Sequence, residues 1–147
     1  MAMLVDILAV GKLKDRALQM RCDEYMTWLG AYGKIHLETV PDSDPNREGS
    51  VLLQRLAKER HAHVIALAEE GREYTSVDFA HHLDGIQSKV IFIIGGPCGL
   101  SPEVKRQSNE LWSLSRLTFT HEMARFLLLE QLFRAQNILH GGHYHRE

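Results

Sequence analysis

The chain has 147 residues, a formal net charge of -2, and 44% hydrophobic against 24% charged residues, a globular balance that fits one domain burying about two-thirds of its unfolded surface. The missing basic excess argues mildly against a free nucleic-acid binder, whose nonspecific affinity comes from neutralising phosphates. No apolar run approaches the roughly 20 residues that span a bilayer, MAMLVDILAVGKLKD is the reverse of a signal peptide, and Cys22 and Cys98 are too isolated for a disulfide framework, so a soluble, cytosolic protein with reduced thiols is expected.

In chain order, MLVDILAV (3–10) is a continuous apolar run, predicting a strand buried on both faces. A helix is expected over 14–30. KIHLETV (34–40) alternates as a half-buried strand would, and PDSDPNREGS (41–50) has turn composition. A second helix over 48–60 leads to the strand HVIALA (63–68), and a third over 75–87 to KVIFIIGG (89–96). Ser101 can cap, and Pro102 can open, a short helix reaching Glu110. LWSLSRLTF (111–119) reads as a fifth strand, and the last helix, 121–139, is apolar over most of its circumference. The alternation predicts a single α/β domain, 1–147, with a mostly parallel sheet and helices on both faces. So apolar a final helix needs burial on more than one side, which makes a homodimer the expected assembly.

Chemistry concentrates late in the chain. IFIIGGPCGLSPE (91–103) ends a buried strand in a turn with no side chain at Gly95 and Gly96, where backbone can approach a ligand closely. Neither dinucleotide nor phosphate-loop fingerprint is present, and a tight strand-to-helix turn alone explains these residues equally well. Cys98 invites a nucleophile reading, but no sequence feature sets a base beside it, and a small loop side chain is the better explanation. Nine histidines raise metal binding, in His61-x-His63 and His140-x-x-His143-x-His145. Only Glu147 is near to complete the second set, so no metal is expected. SLSRLTFTHEMAR (113–125) offers backbone amides and carbonyls beside the Gly-Gly-Pro turn, with Thr120 as a plausible cap and His121 and Arg125, one turn apart, as candidate substrate contacts. Two such loops at one sheet edge make a pocket able to grip an adenosine through main-chain bonds.

The ordered combination of IGGPCGLS, SLSRLTFTHEMAR and LLLEQLFRAQNILHGGHYHRE, together with the opening ILAVGKLKD, resembles the ribosomal RNA large subunit methyltransferase H family of the SPOUT superfamily over nearly the whole chain. The resemblance implies a C-terminal trefoil knot, an exception to the usual rule against knots. It also implies a homodimer that binds S-adenosylmethionine and methylates N3 of a pseudouridine in large-subunit ribosomal RNA of the assembled ribosome, a particle that supplies recognition a basic patch would otherwise supply. Carried over position by position, the cofactor contacts fall at Leu67, Gly95, Leu114, Ser115, Arg116, Leu117, Thr118 and Phe119. Two departures stand out: Thr120 replaces a proline common in the family, and Gly141-Gly142-His143 makes a more flexible lead-in to Tyr144. The closing HGGHYHRE is expected to fold over a cofactor pocket, its own or the partner's, with Tyr144, His145 and Arg146 as catalytic candidates. In that reading Tyr144 stacks on the extruded base, His145 accepts or relays the proton, and Arg146 stabilises the anion or anchors a phosphate. Two rivals stand beside this reading: a non-catalytic nucleotide- or RNA-binding α/β module, and a small hydrolase using Cys98.

Overall fold

A computed structural model describes residues 2–146. Five strands, β1 (Met3–Val10), β2 (Gly33–Val40), β3 (His63–Arg72), β4 (Val90–Ile94) and β5 (Glu110–Trp112), alternate with five helices, α1 (Arg16–Leu29), α2 (Pro45–Leu56), α3 (Ser76–Asp84), α4 (Pro102–Gln107) and α5 (His121–Leu139). All ladders are parallel, in the order β2-β1-β4-β3-β5. The apolar β4 is buried at every position and β1 at all but one, whereas alternating β2 lies at an edge with half its side chains wet.

Crossovers running toward β2 place α1 and α3 on one face of the sheet, and those running toward β5 place α2 and α4 on the other. One hand of connection requires this. The larger core joins Ile7, Phe92, Tyr25, Leu29 and Phe79 to Leu128, Leu129 and Leu132 of α5, and the smaller joins Leu8, Ile91 and Ile93 to Leu52 and Val104. Since α5 packs between α1 and α3, much of its apolar circumference is satisfied within the chain. A second subunit is therefore not needed to explain its composition. Leu129 is fully buried, so Leu129→Ala should lower stability by about 2–5 kcal/mol, read from urea unfolding at fixed protein concentration.

Three elements differ from expectation. Helix α2 starts earlier, at Pro45, because Asp44 accepts from the Arg47 amide at 2.9 Å and proline suits a first helical position. β3 runs on to Arg72 with a bulge: Trp112 pairs with both Leu67 and Arg72, so residues 68–71 leave the ladder. The fifth strand stops at Trp112, and 113–119 form a loop closed by bonds from Ser113 Oγ to Ser115 O (2.9 Å) and from Leu117 N to Ser115 Oγ (3.0 Å). Local serine bonds compete there with strand pairing.

Candidate cofactor cleft

At the carboxyl ends of β3 and β4, the β3 bulge, the 95–100 turn and the 114–119 loop surround a cleft of about 210 Å³. Leu67, Gly95, Leu114, Ser115, Leu117, Thr118 and Phe119 line it, as do Ala68, Glu69, Glu70, Lys105 and His121. The turn is tight: Gly99 N donates to Gly96 O at 2.9 Å. A Cβ at Gly95 would meet the Gly99 carbonyl carbon and Leu100 Cγ, each at 3.0 Å.

The 114–119 loop is moored to the bulge. Thr118 Oγ1 donates to Glu69 Oε1 at 2.8 Å, while Arg116 donates to Glu69 O and pairs through Nε with Glu73 at 3.0 Å. The Arg116 side chain is thus spent on anchoring and does not line the cleft. Lys105 Nζ lies 2.6 Å from Glu70, and its ammonium holds that carboxyl below the usual range. Glu69, Glu70 and Lys105 were missed in the sequence. The signal was available, since EEGR directly follows the strand HVIALA, where a strand's end meets a ligand site.

A rim forms from the start of α5 and the 11–15 loop. Thr120 caps α5, accepting from Met123 N at 3.2 Å. Glu122 accepts from the amides of Lys14 and Asp15, which hold its carboxyl below the usual range. A Cβ on Gly11, at φ +85, would lie 3.2 Å from His121 Nε2. Arg125 is buried rather than cleft-lining and donates to Gly11 O at 2.7 Å, its Nε without a partner among the described residues. Burial depresses its basicity. Cys98 is exposed in the neighbouring turn and does not line the cleft.

The tail lies elsewhere. Gly141, at φ +71, and Gly142 end α5 in a Schellman turn, with Gly142 N donating to Asn137 O (2.9 Å) and Gly141 N to Ile138 O (3.2 Å). A Cβ at Gly142 would lie 2.4 Å from the Asn137 side chain. Instead of a loose hinge, the glycines make a defined reversal that lays the tail back on α5. Tyr144 N donates to Asn137 Oδ1 at 2.8 Å, and the Tyr144 ring meets Phe133 edge-on at 4.9 Å. Its hydroxyl is 2.9 Å from Tyr25 Oη and donates to Glu130 at 3.2 Å. Burial first, then the Tyr25 bond and the Glu130 charge, push this phenol well up, so it keeps its proton. Arg134 lies over the Tyr144 ring and its Nη1 is 3.1 Å from His145 Nδ1. As a guanidinium only donates, Nδ1 is the acceptor in this contact. At about 1.5 Å per residue, Glu130 is about 13 Å along α5 from His121. Tyr144, His145 and Arg146 are therefore not brought to the cleft of their own chain. Glu147 lies outside the described residues.

A family model described as predicted SPOUT methyltransferase matches residues 3–145. The chain is 38% identical to the ribosomal RNA large subunit methyltransferase H of Bacillus thuringiensis and 40% identical to that of Listeria monocytogenes serotype 4a, covering 98% of this chain and 100% of each relative. In fold it is similar to the SpoU methyltransferase AviRb of Streptomyces viridochromogenes, solved with its cofactor AdoMet, with a TM-score of 0.54 and 15% identity, covering 97% of this chain and 60% of that one.

Proposed function

The chain belongs to the SPOUT methyltransferase family, and on that premise we propose that it is an S-adenosylmethionine-dependent methyltransferase of large-subunit ribosomal RNA, acting as a homodimer on N3 of a pseudouridine in the assembled ribosome. The observation that carries this reading is the meeting of three separate segments, 67–70, 94–100 and 114–124, around one cleft at the strand ends. The side-chain-free approach at Gly95 and the apolar walls from Leu67, Leu114, Leu117 and Phe119 suit an adenosine, and Glu69 brings negative charge to the same cleft, the charge of Glu70 being offset by Lys105. The C-terminal segment that carries the 114–119 loop and α5 would form the family's trefoil knot.

When bound, S-adenosylmethionine supplies a methyl group on a sulfonium that leaves as a neutral thioether. The protein must align acceptor and donor and remove the N3 proton of the uracil-type ring, a step for which a general base contributes about 10²- to 10⁴-fold. With its own tail held on the α1–α5 face, each cleft is served by the partner's tail. Arg146 stabilises the ring anion, and His145 takes the proton once its Nδ1 bond to Arg134 is released. Tyr144, protonated and packed, positions the two rather than acting as base. His121 and Arg125 hold the rim against which the RNA docks. Met20 and Trp28 on α1 and Leu117 and Phe119 by the cleft are exposed apolar side chains suited to a subunit contact. Among the described residues no helix is long and apolar enough to cross a membrane, consistent with action on ribosomes in the cytoplasm.

Transfer of labelled methyl from S-adenosylmethionine to purified ribosomes lacking the modification, beside free ribosomal RNA and separated subunits, tests the reading. Label on a pseudouridine of assembled ribosomes alone is expected. Cofactor binding without label on any RNA would instead favour a binding module, and loss of activity in Cys98→Ala would favour the hydrolase.

A further inference from the structure

Away from the cleft, His63, His82 and Glu110 converge from three elements: the start of β3, the last turn of α3 and the start of β5. His63 Nε2 lies 2.5 Å from Glu110 Oε2, and His82 Nε2 lies 2.8 and 2.9 Å from the two carboxylate oxygens. The three donor atoms all fall within 4.8 Å of one another, and each residue is partly buried. We infer that His63, His82 and Glu110 form a zinc(II) site, with water completing a tetrahedron on the open side.

Two imidazoles and one carboxylate are a borderline donor set of the kind zinc takes. The backbone around them is fixed: His63 N donates to Lys89 O at 2.8 Å, and Glu110 is paired with Ile65. Outer support is present as well. Tyr74 stacks on His82, with centroids 5.0 Å apart, and its hydroxyl reaches Glu110 Oε1 at 3.4 Å, the kind of second layer that fixes ligand orientation. With zinc bonds of about 2.0–2.1 Å, tetrahedral ligand atoms sit about 3.3 Å apart, so each imidazole must move from the Glu110 carboxylate by less than about an ångström to admit the ion. Each imidazole gives up its Nε2 proton on binding, to solvent or to Nδ1.

The consequence reaches the cleft. β5 is a three-residue edge strand that leads directly into the 113–119 loop. A metal bridging β3, α3 and β5 would clamp that strand at its first residue and hold the loop's root. The His61-x-His63 spacing in the sequence does not reveal this, since His82 and Glu110 are far away along the chain.

The test is zinc(II) titrated into the full-length, chelator-stripped protein, followed by metal content after gel filtration and by thermal unfolding. One retained zinc per chain and a raised midpoint are expected, both lost in Glu110→Gln and His63→Gln, and both kept when His140, His143 and His145 are replaced by alanine. Cobalt(II) added to the unaltered protein should give the visible absorption of a tetrahedral site, a readout independent of any variant. Absence of retained zinc, absence of the cobalt band, or retention that follows the tail histidines would overturn the site and leave a hydrogen-bonded His-Glu-His cluster. None of these readouts depends on methyl transfer.

Discussion

Gly95→Val is expected to weaken S-adenosylmethionine binding by about 10- to 100-fold while leaving the fold intact. The new Cβ would lie 3.0 Å from both the Gly99 carbonyl carbon and Leu100 Cγ, and one of those neighbours is backbone that cannot rotate away. Either the 95–100 turn shifts or the branched methyls project into the cleft, and overpacking of this kind typically costs about 1–3 kcal/mol, which at about 1.4 kcal/mol per tenfold brackets the stated range. Gly95→Ala should show a smaller loss of the same sign. Calorimetric titration measures the affinity and circular dichroism checks the fold. Unchanged affinity in a folded valine variant would remove this turn from the cofactor site.

His145→Ala and Arg146→Ala should each lower the rate of methyl transfer with little change in cofactor affinity. For loss of a general base the expected drop is about 10²- to 10⁴-fold, and for loss of a charge-stabilising donor about 10²- to 10³-fold. Single-turnover kinetics on ribosomes separates these effects from binding. Mixed dimers decide which cleft the tail serves. One protomer carries Gly95→Val and an intact tail; the other has an intact cleft and lacks residues 143–147. At a cofactor concentration that fills the intact cleft but not the Gly95→Val cleft, service in trans restores one working site per dimer, whereas service in cis leaves none. Turnover that survives removal of 143–147 from both protomers would sink the tail's role.

The placement of the tail explains why the mixed dimer is informative. HGGHYHRE was legible as a proton- and anion-handling segment, but its Gly-Gly pair reads equally as a hinge or a cap. The choice rests on Asn137, which bonds both Gly142 N and Tyr144 N, and on the Tyr25 and Glu130 partners of the Tyr144 hydroxyl. Tyr25 is 119 residues away in sequence, so no local pattern announces it. Arg125 shows the same thing: one turn from His121 in sequence, it is buried against Gly11 O rather than open to substrate.

By itself the sequence determined the elements and their layering. Continuous apolar runs marked the strands buried on both faces, alternation marked β2 as half-buried, and helical segments between strands required parallel crossovers. It also identified the 95–100 turn, and the family resemblance selected seven of the residues that line the cleft. Tertiary structure alone decided where β3 bulges, where β5 stops, which way Arg116 turns and where the tail lies. It also decided that His63 meets His82 and Glu110 rather than its sequence neighbour His61. Periodicity reports which face of an element is buried, a property of neighbours along the chain. Which polar groups then find one another depends on contacts between distant segments, and these are fixed only when the sheet order brings the segments together.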